Sequence, residues 1–248
     1  MAAWHFSAYN PSQLETGMKK VLLVLAAALL THGAFAKKWT NNVGVGFTLP
    51  VANINVDERG ADDVLQISYG IEETYIGYHE NGFTAKASAA IGLATSDDIR
   101  IAGLEKGDNP DGGLYESCVL GAGYSIVRTD KVLFGVVGTF GLEFSHYFAS
   151  VSYGLDGGGE ELADDTDYML SLVTLSLGAD VYACYRFTPH FGMFANVGFR
   201  CPLVGVAITQ AESSWKVNDT SYSRTRTTNS DLAGIFIVQP TVGVMWHF

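Results

Sequence analysis

Residues 173–199, VTLSLGADVYACYRFTPHFGMFANVGF, decide the fold. Two segments of alternating sequence flank the triplet Thr188-Pro189-His190. Apolar side chains occupy every second position, and glycine or polar residues fill most positions between them. Period-two alternation places successive side chains on opposite faces of a β-strand. A short turn containing Pro joins antiparallel neighbours. The stretch therefore predicts a hairpin with one apolar and one polar face.

The same alternation recurs along the chain. Eight segments show it, and their apolar phases begin at Val43, Leu65, Phe83, Cys118, Val132, Val173, Phe191 and Phe236. In the second segment the phase changes at Glu72-Glu73, which predicts a β-bulge there. An even number of antiparallel strands is what a closed barrel requires.

Long and short connections alternate between these segments. Long connections are predicted near residues 55–62, 96–112, 154–167 and 205–231, and short turns at residues 79–82, 128–131 and 188–190. Long loops at one end and tight turns at the other are typical of barrels in the bacterial outer membrane. In that arrangement the N- and C-termini both lie on the periplasmic side.

The two faces of the predicted strands differ in polarity and side-chain size, as a lipid-facing outer surface and a narrow lumen require. Because acyl chains accept no hydrogen bonds, the outer face of a membrane barrel is apolar and its backbone is fully paired. Small residues are needed inside an eight-strand barrel, and glycines such as Gly178, Gly192 and Gly198 fall on the polar phase. Aromatic residues near the turns are predicted to form a periplasmic girdle on the lipid face: Tyr78, Phe83, Tyr185, Phe187, Phe191, Trp246 and Phe248.

A soluble secreted β-sandwich also has short alternating strands. It gives no reason to place glycine on its solvent face so often, or to make every second connection tight. The predicted fold class is therefore all-β, an eight-stranded antiparallel up-and-down transmembrane β-barrel.

The N-terminal segment predicts export. Met18-Lys19-Lys20 precedes an apolar run at residues 21–30, and Ala34-Phe35-Ala36 follows as an A-x-A cleavage site. The run is shorter than the roughly 20 residues of a membrane-spanning helix. We predict that residues 1–17 are an extension ahead of the true start, residues 18–36 a cleavable signal peptide, and residues 37–248 the barrel.

The last ten residues resemble the assembly signal of outer-membrane proteins, in which a terminal aromatic follows apolar residues at every second position. Val242, Val244, Trp246 and Phe248 match that signal, whereas Pro240 departs from it. The resemblance implies that the barrel-assembly machinery reads this strand. Physically, such a strand has unpaired backbone groups and can pair by strand addition.

More broadly, residues 39–248 resemble the OmpA/OmpX/OmpW superfamily of small eight-stranded barrels. The stretch from Tyr185 to Phe191 is similar to the periplasmic strand-turn-strand of those families. The resemblance implies outer-membrane lipid as the surroundings. It does not separate one member of the superfamily from another.

Composition excludes some functions. The formal net charge of -11 argues against nucleic acid, and the three cysteines, Cys118, Cys184 and Cys201, do not form a disulfide framework. The acidic stretch at residues 156–167 lacks the ordered spacing of a calcium loop and is interpreted as a solvated loop. We predict no cofactor and no metal.

Charged residues on the inner phase are the candidate site: Glu72, Lys86, Glu143, Asp180, Arg186 and Arg200, with Gln239 beside them. Asp180 and Arg200 are near diagonal partners across the turn at Thr188-Pro189-His190. Buried charges must be paired, so these residues either form a structural network that plugs the barrel or line a narrow path for solutes.

Three functions remain open. The first is a narrow pore for small solutes, which the resemblance to OmpW suggests could be hydrophobic. The second is a structural or adhesin-type barrel that meets host ligands through its loops, especially near Ser213 and Arg224. The third is a lipid-modifying enzyme. Barrels of the lipid A deacylase type use a histidine and a serine two residues later, and a resemblance to them fails here because Phe148 follows His146 at that spacing and Ser150 is too distant. We therefore predict that the protein is not an enzyme.

Overall fold

The structure, a computed structural model, describes residues 39–56, 64–95, 112–155, 162–217 and 220–248. The predicted extension and signal peptide, with the cleavage site at Ala34 and Ala36, lie outside the described residues. Most of the predicted loops at residues 55–62 and 96–112 also lies outside them.

The described chain is built from antiparallel strands. They are β1 (Trp39–Thr48), β2 (Val51–Val56), β3 (Val64–His79), β4 (Phe83–Thr95), β5 (Gly112–Arg128), β6 (Val132–Leu155), β7 (Leu162–Arg186), β8 (Phe191–Val217) and β9 (Thr220–His247). Each strand from β3 to β8 pairs with the next along the chain.

The barrel closes between its first and last strands. Both β1 and β2 pair with β3 on one side and β9 on the other, so they share one place in the ring. Pro50 separates them because it has no N–H to donate to a ladder. Its carbonyl still accepts a hydrogen bond from the Ser68 amide at 2.8 Å. The ring therefore has eight places, and the predicted fold class is confirmed.

Two of the predicted long loops are wrong. β6 and β7 stay paired out to Leu155 and Leu162, and β8 and β9 stay paired out to Val217 and Thr220. The described residues of the segments at 154–167 and 205–231 therefore belong to paired strands, at the far ends of β6 to β9. A strand with water on both faces needs no apolar alternation, so its sequence lacks the signal that marks the membrane part.

The predicted bulge at Glu72-Glu73 is also wrong. The register of β3 against β1 and β4 runs through both residues without a shift. Consequently Tyr78 faces the lumen, where it packs against buried Ile76 and its neighbours, and it does not belong to the girdle. The other predicted girdle residues are exposed on the outer face, and Phe191 and Trp246 pack edge to face at 5.8 Å.

The barrel has its apolar residues outside and its polar residues inside. Large apolar side chains such as Phe47, Ile71 and Phe199 are more than half exposed on the outer face. Along β6 the inner face presents Val137, then Glu143, then Tyr147. The lumen is therefore filled in layers, with a polar layer between two apolar clusters.

Candidate functional site

Six strands contribute side chains to the polar layer. We call these residues the polar plug: Glu72 (β3), Lys86 (β4), Glu143 (β6), Asp180 (β7), Arg200 (β8) and Gln239 (β9). All six are buried, and the most exposed, Glu143, has 5% of its surface accessible. Period-two alternation places each of them on the inner face.

Arg200 lies at the centre of the plug. Its Nε donates to Glu143 Oε1 at 2.9 Å, and its Nη1 lies 3.6 Å from Asp180 Oδ1. Its Nη2 donates to the side-chain oxygen of Gln239. The planar guanidinium can bind several acceptors at once, which suits a buried position among carboxylates.

The remaining charges are linked to the same network. Lys86 donates to Asp180 and lies 4.0 Å from Glu72 Oε1. Glu72 Oε2 accepts from Gln239 Nε2 at 2.8 Å and from Thr241 Oγ1 at 2.7 Å. Every charge of the plug thus has a partner of opposite sign, which is the condition for burying it.

Glycines make room for these large side chains. A Cβ at Gly141 would lie 2.5 Å from Glu143 Oε1, and one at Gly198 would lie 2.6 Å from Asp180 Oδ1. The alternation of glycine with charged residues on the inner phase therefore has a steric cause, since a narrow lumen cannot hold a larger side chain beside Arg200.

Five of the six predicted lumen residues meet in the plug, and Arg186 does not. Arg186 lies at the turn end of β7, where its Nη2 donates to the Tyr78 hydroxyl at 3.0 Å. Sequence reasoning missed Ser176 and Thr241, which donate to Glu143 and Glu72. Their position on the inner phase of the alternation could have identified both as residues that face the lumen.

A small cavity lies beside the plug. Its volume is about 30 Å³, and Glu143, Tyr115 and Ser145 are among the residues that line it. The Tyr115 hydroxyl, buried and without a hydrogen-bond partner, shows that the cavity has a polar wall. Such a volume is enough for about one water molecule, and it is too small for an organic solute.

His146 contacts a serine that the sequence did not indicate. Its Nδ1 lies 2.9 Å from Ser171 Oγ on the neighbouring strand, and both side chains are buried. A serine nucleophile must be reached by its substrate and needs a base that is itself oriented. With 5% of Ser171 accessible, the contact is better explained as two polar groups that satisfy each other.

The described residues contain no group of three or more His, Cys, Asp and Glu side chains placed to hold a metal ion. Within the same part of the chain, no helix is long and apolar enough to cross a membrane.

A closed antiparallel ring with an apolar outer belt, aromatic residues at the turn end and a polar interior defines a transmembrane β-barrel of the bacterial outer-membrane class. This is the fold that the resemblance to the OmpA/OmpX/OmpW superfamily implied, and at the level of the fold that resemblance is confirmed.

Outer-membrane proteins are among the solved structures that are similar to this chain. Ail of Yersinia pestis is 13% identical, with 85% of this chain and 99% of Ail covered and a TM-score of 0.40. OprG of Pseudomonas aeruginosa is 13% identical, with 86% and 97% covered and a TM-score of 0.47. The protease OmpT of Escherichia coli is 9% identical, with 86% and 98% covered and a TM-score of 0.40. No protein-family model and no curated protein matches the chain.

Proposed function

We propose that this protein is a surface-interaction barrel, in which a plugged membrane part anchors a sheet that binds ligands outside the cell. The observation that carries the proposal is the length of four neighbouring strands. β6, β7, β8 and β9 have 24, 25, 27 and 28 residues, whereas a membrane-spanning strand needs about 9–11. Their far ends continue as a four-stranded sheet beyond the membrane.

The orientation follows from the same lengths. Short turns are placed in the periplasm and long hairpins outside the cell in this class of barrel. We therefore infer that the N- and C-termini lie in the periplasm. The partners of the barrel are then outer-membrane lipid and, during biogenesis, the assembly machinery, which reads the residues from Val242 to Phe248.

Among the described residues, no strand pairs with the outer edge of β9 in the extended sheet. Residues 223–229 of β9 pair with β8, but their other side lies beyond the residues that pair with β2 and β1. All seven side chains are exposed. Unpaired N–H and C=O groups along such an edge are available to a ligand.

The two faces of the extended sheet carry opposite charges near this edge. Arg224 and Arg226 lie on the lumen-side face, opposite Ser213 and Ala211 of β8. Glu212 and Asp167 lie on the other face, where they are exposed. Because arginine binds sulfate and carboxylate groups in a bidentate manner, the lumen-side face suits a polyanionic ligand.

Heparin binding tests this ligand class. In nanodiscs, we expect the wild type to bind heparin and R224A/R226A to bind about tenfold more weakly, since charge-assisted hydrogen bonds are lost. T225A/T227A changes the opposite face of the same strand and is the matched control. Equal binding by all three proteins would argue against this ligand.

Conductance separates this proposal from the narrow pore predicted as an alternative. We expect the refolded wild type to show no openings in planar bilayers, because the polar plug and the apolar clusters occupy the lumen along the described strands. Reproducible openings of the folded wild type would contradict the plugged barrel and favour the pore.

A further inference from the structure

Glu73 faces the lipid. Because β3 runs through residues 72 and 73 without a shift, Glu72 points into the lumen and Glu73 points outward. Glu72 is 1% exposed, whereas Glu73 belongs to the exposed residues. The outward neighbours of Glu73 across the sheet are Val45 on β1 and Ala89 on β4.

Glu73 also lies near the middle of the apolar belt. It is six positions from His79, the last residue of β3. With a rise of about 3.3 Å per residue and a strand tilt of about 40°, that places it roughly 15 Å from the turn. The lipid-facing band of such barrels is about 25 Å tall. Exposed Ile71 and Ile91 lie immediately beyond Glu73, so it is surrounded by apolar surface.

Within the described part of the chain, Glu73 makes no hydrogen bond and no ion pair. The two cations at a similar depth, Lys86 and Arg200, are held inside the lumen by the plug. A carboxyl group facing acyl chains is unfavourable, and such residues are typically paired or functional. The belt therefore carries a polar group that the single barrel does not satisfy.

The surface beside Glu73 is made of small side chains. Ala85 and Ala89 are partly exposed on the outer phase of β4, with the buried Ala87 between them, and Ala122 and Gly138 extend this row into a shallow groove between β5 and β6. Small residues at a membrane interface allow two backbones to approach closely. This face can therefore accommodate a second transmembrane element.

We propose that the outer face of β3 and β4 is the contact between two copies of this chain in the membrane, with the two Glu73 carboxyls hydrogen-bonded to each other. A two-fold interface brings the same residue of both copies together. Two carboxyl groups that share protons need no counter-ion. This favours a second copy, because the described outer belt of the barrel offers no cation to pair with Glu73.

Photo-cross-linking in lipid vesicles tests the contact. Ile71 is replaced by p-benzoylphenylalanine, whose size suits this exposed position, and dimer is quantified on denaturing gels after irradiation. Val181 on β7, 43% exposed on a distant face, carries the same group as the matched control. We expect a cross-linked dimer from position 71 and none from position 181.

Substitutions of Glu73 then test the carboxyl pair. E73Q should retain the dimer, because amides also pair by mutual hydrogen bonds, whereas E73L should lose it about tenfold. E73K alone should not dimerise, and mixing it with wild type should restore cross-linking through a Glu–Lys pair. Heat-modifiability gels show that each variant is folded. No dimer from position 71, or a dimer that E73L and E73K leave unchanged, would overturn the proposal.

Discussion

Replacing Arg200 with alanine is expected to destabilise the barrel by about 3–5 kcal/mol. Arg200 is 1% exposed and pairs with both Glu143 and Asp180. Its removal leaves Glu143 without a cation in the lumen, and an uncompensated buried charge is strongly unfavourable. The measurement is the free energy of unfolding in urea, followed by tryptophan fluorescence of the barrel in lipid vesicles.

Two further variants show whether the effect comes from the buried charge. R186A removes the arginine at the turn end, which is half-buried and bonds to Tyr78, and it is expected to lose about 1 kcal/mol or less. R200M/E143L removes both partners while Asp180 keeps Lys86, so most of the lost stability should return. A loss below about 1 kcal/mol for R200A would show that the plug does not stabilise the barrel.

Alanine at Gly178 is expected to destabilise the barrel by about 1–3 kcal/mol. The new Cβ would overlap the carbonyl oxygen of Phe199 on β8 and lie 2.6 Å from the Cα of Arg200. Because both contacts are with backbone, a change of side-chain rotamer cannot relieve them. The plug would also be displaced, since Arg200 Cγ would lie 2.8 Å away. Urea unfolding and the fraction refolded on heat-modifiability gels measure the effect.

Gly138 provides a matched control on the neighbouring strand β6. A Cβ there would face the lipid side, with its nearest atom, the carbonyl oxygen of Ala122, at 3.8 Å. G138A should therefore be neutral or slightly stabilising, since alanine loses less conformational freedom than glycine. Equal losses for G178A and G138A would indicate that β-strand glycines matter here for a reason other than the narrow lumen.

Much of the candidate site could be predicted from the alternation. Glu72, Lys86, Glu143, Asp180 and Arg200 were assigned to the lumen from their phase, and the structure places all five there. Their pairing could not be predicted, because it depends on the offset between strands. Gln239 donates to Glu72 across 167 positions of sequence, and no local pattern contains that contact.

The error at Glu72-Glu73 has a physical origin. The bulge was inferred from a change of phase in the alternation at these two residues. The backbone ladder with β1 and β4 kept the register, and Glu73 was left facing outward while Tyr78 turned into the lumen. Hydrogen bonds along two neighbouring strands thus outweighed the preference of one side chain.

The sequence by itself determined the number of places in the ring and, apart from the segment from Glu73 to Tyr78, which residues face the lipid and which face inward. Lipid accepts one kind of side chain, so the constraint is repeated at every second position and can be read locally. The tertiary structure decided which inner charges meet, that Glu73 faces the membrane, and how far β6 to β9 extend. Those features depend on strand offset and on water at both faces, and neither imposes a local pattern on the sequence.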